Sequence, residues 1–284
     1  MGIDAHARAF IAYASAKKPL GRVATIGRQS LMVRADIAKF GRYCESFLAE
    51  RFNAVLVESF DYSDYEGATY TVDLNHPFVP CKTYNTVLDC GSLEHIYNVP
   101  QALANVSALC DKGAQIIHVL PANNFCGHGF WQFSPELFFS LYSDSNGYAE
   151  TEVFLADLQN RQAWFEVKRP ANGKRAQVVS KAPLYVLCRT VKNSQCSSKN
   201  VQQSDYVHTW SHEVRTREKR NSLFGAIKRI VKSSDWLYRA SLRIYQSGRD
   251  CAEPIVNPKA LSSMNHYLTR RRIADLVPAP WARD

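Results

Sequence analysis

The sequence predicts an α/β protein with a mostly parallel sheet, helices on both faces and a basic helical C-terminal extension. Three observations carry that expectation. Short apolar runs that end in Asp or in a glycine turn alternate with helix-length segments of 3.6-residue periodicity. One stretch, Tyr84 to Pro135, holds a strand, a helix and a second strand in succession, which is a βαβ unit with a right-handed crossover. Charge is also unevenly spread: residues 1–193 carry 19 Lys+Arg against 18 Asp+Glu, whereas residues 194–284 carry 16 against 8. The composition thus divides the chain into an α/β domain, 1–193, and a basic extension, 194–284.

Residues 1–20 read as a helix closing near Lys17-Lys18-Pro19, followed by a strand, Arg22–Ile26, that runs into Gly27-Arg28-Gln29-Ser30. Ser30 can cap a helix over about Leu31–Glu50, with Met32, Ala35, Phe40, Tyr43, Phe47 and Leu48 as its inner face. A second strand, Ala54–Phe60, ends at Asp61, and a third, Tyr70–Val72, ends at Asp73. The chain between them is too short for a complete crossover helix. Thr86–Leu88 is a strand ending at Asp89, and Cys90-Gly91-Ser92 is its turn. The next helix covers about Pro100–Leu109; Asp111-Lys112-Gly113 breaks the chain before a strand at Gln115–Leu120. Ser134-Pro135-Glu136 starts a further helix, stopped by Asn146-Gly147. Strands follow at Glu152–Ala156 and Leu184–Arg189. After a polar linker, Arg215–Arg249 has helical spacing with Lys and Arg interleaved.

The totals exclude several classes. No apolar run approaches the roughly 18 residues of a membrane span, and Asp4 in a short apolar patch argues against a secretory signal. The start also lacks the Ser or Thr of a myristoylation site. Eight scattered cysteines without a Cys-x-x-Cys pair read as reduced thiols of a cytoplasmic protein. No zinc spacing is present and no metal is implied.

Strands ending in acidic residues, then Asp89-x-Gly91-x-Leu93-Glu94-His95, a helix, Lys112-Gly113, a strand and Pro121 together resemble class I S-adenosylmethionine-dependent methyltransferases, over about residues 20–192. The Leu-Glu-His segment is similar to a bacterial branch acting on small molecules and cell-surface groups. The resemblance implies a Rossmann-like fold and S-adenosylmethionine as cofactor. It implies Gly27 and Arg28 beside the methionine portion, Asp61 on the ribose hydroxyls, Asp73 and Leu74 by the adenine, and Asp89 and Gly91 flanking the sulfonium. Ionised carboxylates suit vicinal hydroxyls as acceptors. The first loop departs from the family's Gly-x-Gly-x-Gly, since Gly27 is its one glycine and Arg28 follows it. Arg28 either pairs with the cofactor carboxylate or fills its space.

His128, between two glycines beyond a strand end, is either a general base or a loop histidine that locks Asn123–Phe133. His95 is a second candidate base, or shapes the pocket with Glu94. Asn123, Asn124 and Trp131 are candidate substrate contacts, with turn capping and pocket wall as their plainer roles. The expected activity is methyl transfer to oxygen or nitrogen of a small-molecule or surface-glycan-type acceptor. The alternative is a methyltransferase-like fold that no longer catalyses and serves as a binding or scaffold subunit through its basic tail. For the helix 215–249, packing on the domain ranks first and peripheral contact with an anionic membrane surface second. Nucleic-acid binding ranks last, because no such motif is present.

Overall fold

A computed structural model describes residues 2–176, 178–194, 201–216, 236, 239–240, 262–263 and 267–281. Its centre is a nine-stranded sheet built from β1 (Arg22–Ile26), β2 (Leu56–Asp61), β3 (Tyr70–Thr71), β4 (Tyr84–Asp89), β5 (Cys110–Pro121), β6 (Tyr148–Asp157), β7 (Ala163–Val167), β9 (Leu184–Lys192) and β11 (Leu268–Arg272). The short strands β8 (Val178–Val179) and β10 (Ser262–Ser263) pair with each other apart from it. The order across the sheet is β3-β2-β1-β4-β5-β9-β6-β7-β11. The first five strands pair in parallel and the rest antiparallel. Only β9 and β7 run against the others, so the sheet is mostly parallel, as its strand–helix alternation predicts.

The alternation of side chains along the central strands explains why both faces are covered. Ala24, Ile26 and Val87 join a core with Ala102, Leu103, Val106 and Leu109 of α4 (Val99–Leu109) and Phe138 of α5 (Pro135–Leu141). Val23, Leu88 and Ile117 face the other way, onto Phe10 and Ala14 of α1 (Ala5–Lys17) and Phe47 of a helix at Cys44–Phe52. Strands buried on both faces read as continuous apolar runs, which is how β1 and β4 look in the sequence. The arrangement is Rossmann-like. None of the described helices is long and apolar enough to cross a membrane.

Several boundaries differ from expectation for local reasons. The single helix expected at Leu31–Glu50 is two, α2 (Arg34–Phe40) and α3 (Cys44–Phe52), because Gly41 turns the chain at φ 85°. Ser30 caps neither: it forms a bridge to Tyr43, and Met32 is exposed. Asp111-Lys112-Gly113 does not break the chain before β5. The strand starts at Cys110, and the extra residues form an irregularity in which Gly113 takes φ 78° between the pairs Tyr84–Cys110 and Thr86–Gln115. α5 stops at Leu141, and Asn146-Gly147 instead closes a separate single turn, Asp144–Asn146. β7 has no counterpart in the sequence reading; it returns antiparallel to β6.

Part of the 194–284 extension lies on the same body. α6 (Ser204–Thr216) is tied to it by the bond from Arg175 to Asp205, and the Arg270–Arg272 triplet belongs to β11, paired with β7 at the sheet edge. Charged side chains on an outer strand discourage further pairing. Of the expected basic helix at 215–249, only residues 215–216, 236 and 239–240 are described; the rest lies outside the described residues.

Candidate functional site

The strand order reverses between β1 and β4, and the carboxyl ends of the strands flanking such a switch point form the crevice where open α/β sheets take ligands. A cleft of about 330 Å³ lies there, bounded by Gly27, Gln29, Asp61, Leu74, Gly91 and Ser92 among others. That volume is at the small-molecule end of ligand sites. Gly27 is forced: it takes φ 71°, and a Cβ there would meet Ser92 Oγ at 2.5 Å. Its amide donates to the Phe60 carbonyl at 2.7 Å, joining the ends of β1 and β2. Ser92 Oγ donates to the Ile26 carbonyl at 2.6 Å, and the Gln29 amide nitrogen donates to the same carbonyl and to Ser92 Oγ. The amide oxygen of Gln29, Oε1, is buried without a hydrogen-bond partner.

Asp61 closes β2. Its Oδ2 accepts from the Arg28 amide at 3.1 Å and its Oδ1 from the Tyr62 amide at 2.7 Å. Arg28 lines the cleft, and its guanidinium is held by protein groups. Nε donates to Glu45 at 2.8 Å, Nη1 donates to the Glu66 and Gly67 carbonyls, and the group sits 4.0 Å over the Tyr43 ring. Asp73 accepts from the backbone and side-chain amides of Asn75, and those bonds hold its carboxyl below the usual carboxylate range. Leu74 is buried beside it, its carbonyl held by Asn105 of α4.

Asp89 is not brought to the cleft wall. It is fully buried, accepts from the Ser92 amide at 2.9 Å and faces His118 on β5 at 3.2 Å, and His118 in turn pairs with the Tyr142 hydroxyl. Asn123 and Asn124 are also elsewhere. Both stitch their loop to the 180–182 segment, through Ser180 and Ala182. Asn123 lines a separate hollow with Phe133 and Ala176.

Glu94, His95 and His128 converge, and His95 also lines the cleft. Glu94 is fully buried, and neither carboxylate oxygen has a hydrogen-bond partner. Its Oε1 lies 3.7 Å from His95 Nε2 and 3.5 Å from His128 Nε2. Burial pushes the Glu94 carboxyl up to about 8, with the Asp89 charge adding to it, and burial holds both histidines below their usual value. His128 arrives on a loop that docks on Glu94: the Phe130 amide donates to the Glu94 carbonyl at 2.7 Å, and a Cβ on Gly129 would meet that oxygen at 2.7 Å. Trp131 seals the loop from outside, its indole donating to the Ile96 carbonyl at 3.0 Å.

No family model and no curated protein matches the chain. Among solved structures, a methyltransferase of Thermotoga maritima is 14% identical, with 66% of this chain and 91% of that one covered at a TM-score of 0.38. The 1,6-didemethyltoxoflavin-N1-methyltransferase of Burkholderia thailandensis, solved with S-adenosylhomocysteine, is 12% identical over 67% and 78%, at 0.37. A sugar N-methyltransferase of Streptoalloteichus is 11% identical over 66% and 73%, at 0.30. At such values the fold assignment rests on strand order and register, not on these neighbours.

The structure therefore gathers Gly27, Arg28, Asp61, Asp73, Leu74, Gly91 and His95 around one cleft, with His128 packed against His95 and Glu94. It leaves Asp89, Asn123 and Asn124 in other surroundings. Gln29 and Ser92 were missed as site residues. Their only signal is position, since each is polar and lies three residues beyond the end of a strand at the switch point.

Proposed function

We propose that the chain is an S-adenosylmethionine-dependent methyltransferase that delivers a methyl group to oxygen or nitrogen of a small-molecule or surface-glycan-type acceptor. The observation that carries this is the cleft at the switch point, lined by Gly27, Leu74 and Gly91, with Asp61 on its wall. Asp61 suits the ribose: each oxygen carries one backbone bond and keeps a lone pair for a hydroxyl. Leu74 supplies an apolar wall for the adenine. When bound, the cofactor supplies an activated sulfonium methyl, so the residues' work is alignment rather than covalent catalysis. His95, which lines the cleft, and His128 packed against it are both held in the neutral form near pH 7, the form needed to take an acceptor proton. Arg28 lines the same cleft, with Nε and Nη1 engaged by Glu45 and two carbonyls.

A second reading is a non-catalytic binding protein. It is favoured by the same Arg28 loop, in which one glycine and an engaged cation stand where the resemblance implies a glycine-rich turn.

The test is calorimetric titration of the full chain with S-adenosylmethionine and S-adenosylhomocysteine, beside Asp61→Ala. Micromolar binding that weakens at least about tenfold in the variant is expected, the loss of a hydrogen-bonded charge. Absence of heat from folded wild-type protein, over several temperatures, would sink the enzyme reading.

A further inference from the structure

We infer that Glu94, His95 and His128 form a binding site for a divalent transition-metal ion of the zinc class. Glu94 and His95 come from a single helical turn, Leu93–His95, and His128 from a loop, and one ligand atom from each lies within 4.8 Å of the other two. The two measured separations from Glu94 Oε1, 3.7 Å to His95 Nε2 and 3.5 Å to His128 Nε2, are close to what a tetrahedral ion requires. Bonds of about 2.0–2.1 Å imply ligand–ligand distances of roughly 3.3 Å, so these two pairs need a contraction of a few tenths of an ångström, and the histidine nitrogens, within 4.8 Å of each other, must also close in.

A separate observation points to a ligand. Both Glu94 oxygens and His128 Nε2 are buried, and none has a hydrogen-bond partner. Glu94 itself has no exposed surface. Buried polar atoms are almost always satisfied, and a carboxylate with two orphaned oxygens is among the most expensive to leave so. A cation between the three groups would satisfy the carboxylate and the imidazole nitrogen together. The surrounding structure also holds the donors in place. Gly129 lets the 123–133 loop approach the Glu94 backbone, the Phe130 amide fixes it there, and the two rings stand edge-on with centroids 5.1 Å apart.

Donor chemistry selects the ion. Two imidazoles and one carboxylate suit zinc, cobalt or ferrous iron, whereas magnesium and calcium take all-oxygen sites. Three protein donors leave a fourth position for an exogenous one, the pattern of a catalytic rather than a structural site. His95 also lines the switch-point cleft. With both Nε2 atoms on the ion, the histidines would be its ligands rather than the bases of the proposed function, and the site itself does not depend on that function. The sequence hides it because two donors are adjacent and the third lies on another loop.

The test uses full-length protein freed of metal by chelator. Zinc is titrated in competition with a chromophoric chelator, and cobalt is followed by its visible absorption. One equivalent of zinc is expected to bind, with an intense cobalt spectrum of low coordination number. His95→Ala, at an exposed position that does not threaten folding, and Glu94→Gln are each expected to weaken zinc by roughly a hundredfold. His76→Ala, an exposed histidine outside the cluster, should bind as wild type does. Absence of stoichiometric binding to folded wild type, or unchanged affinity in His95→Ala, would overturn the site. Neither result depends on whether S-adenosylmethionine binds.

Discussion

Gly27 shows how a single residue can be dictated twice. Its φ of 71° is one that side chains rarely adopt, and Ser92 Oγ stands where a Cβ would go. Gly27→Ala is therefore expected to cost about 1–3 kcal/mol, seen as a lower thermal midpoint. It should also weaken S-adenosylhomocysteine binding in calorimetry, because Ser92 and Gln29 line the same cleft. A variant that melts and binds as wild type would remove Gly27 from the site. The position was legible in the sequence, as were Asp61 and Asp73, because a small or acidic residue at the end of an apolar run is visible without coordinates. The destination of Arg28 was not. Its partners, Glu45 and Tyr43, belong to a second helix and the turn before it, which the continuous helix expected over 31–50 concealed. The surroundings of Asp89 were hidden for a related reason, since its partner His118 lies on the neighbouring strand. Glu94 was noticed, but its lack of partners is a property of how a distant loop packs over it.

Among the elements, β2, β3 and β4 are joined by one carboxylate. Glu58 on β2 accepts from Tyr84 of β4 at 2.9 Å, from Tyr70 of β3 at 3.2 Å and from Lys82 at 2.8 Å. Burial alone would raise its pKa, but the bonds from Lys82, Tyr84 and Tyr70 together hold it below the usual value. A depressed folded pKa means the unfolded chain binds the proton first. The stabilisation is thus complete above the ordinary carboxylate value and is lost as pH falls through it toward the folded one. Glu58→Gln is expected to lower stability by about 2 kcal/mol at neutral pH and by less at pH 3–4. Urea melts of both proteins across that range check it, and a gap that is constant with pH would remove Glu58 as the source. The periodicity that located β1, β2, β4 and α4 is local and survives in sequence. What it could not give were the interruptions: Gly41 splitting one helix into two, and Gly113 allowing β5 to begin early. A glycine looks the same in sequence whether it ends an element or bends one.

For the whole molecule, the shift in composition after residue 193 and the course of the chain give different pictures. Charge changes abruptly there, yet Leu268–Arg272 completes the outer edge of the sheet, and Ile273 and Val277 are buried in the core shared by α1 and α3. Composition cannot reveal such a return, because pairing with β7 requires only five residues, three of them the arginines that made the segment look like tail. Trp281 fixes the return. Its ring stacks on Phe52 at 4.7 Å, stands edge-on to Phe47 at 6.2 Å, and lies under the guanidinium groups of Arg8 and Arg51 at 5.5 and 5.6 Å. Arg8 is itself paired with Asp36 in a buried contact of 3.1 Å, so one indole joins α1, α2 and α3 to the end of the described chain. Trp281→Ala should cost about 2 kcal/mol, less than a fully buried tryptophan because part of the ring meets solvent. If the last segment unfolds with the α/β body, denaturation of the variant remains one transition at lower urea with an unchanged slope. A second, earlier transition in the wild type would instead show that residues 267–281 open separately from the sheet. An unaltered midpoint in Trp281→Ala would mean the aromatic contacts add nothing beyond the β7–β11 pairing.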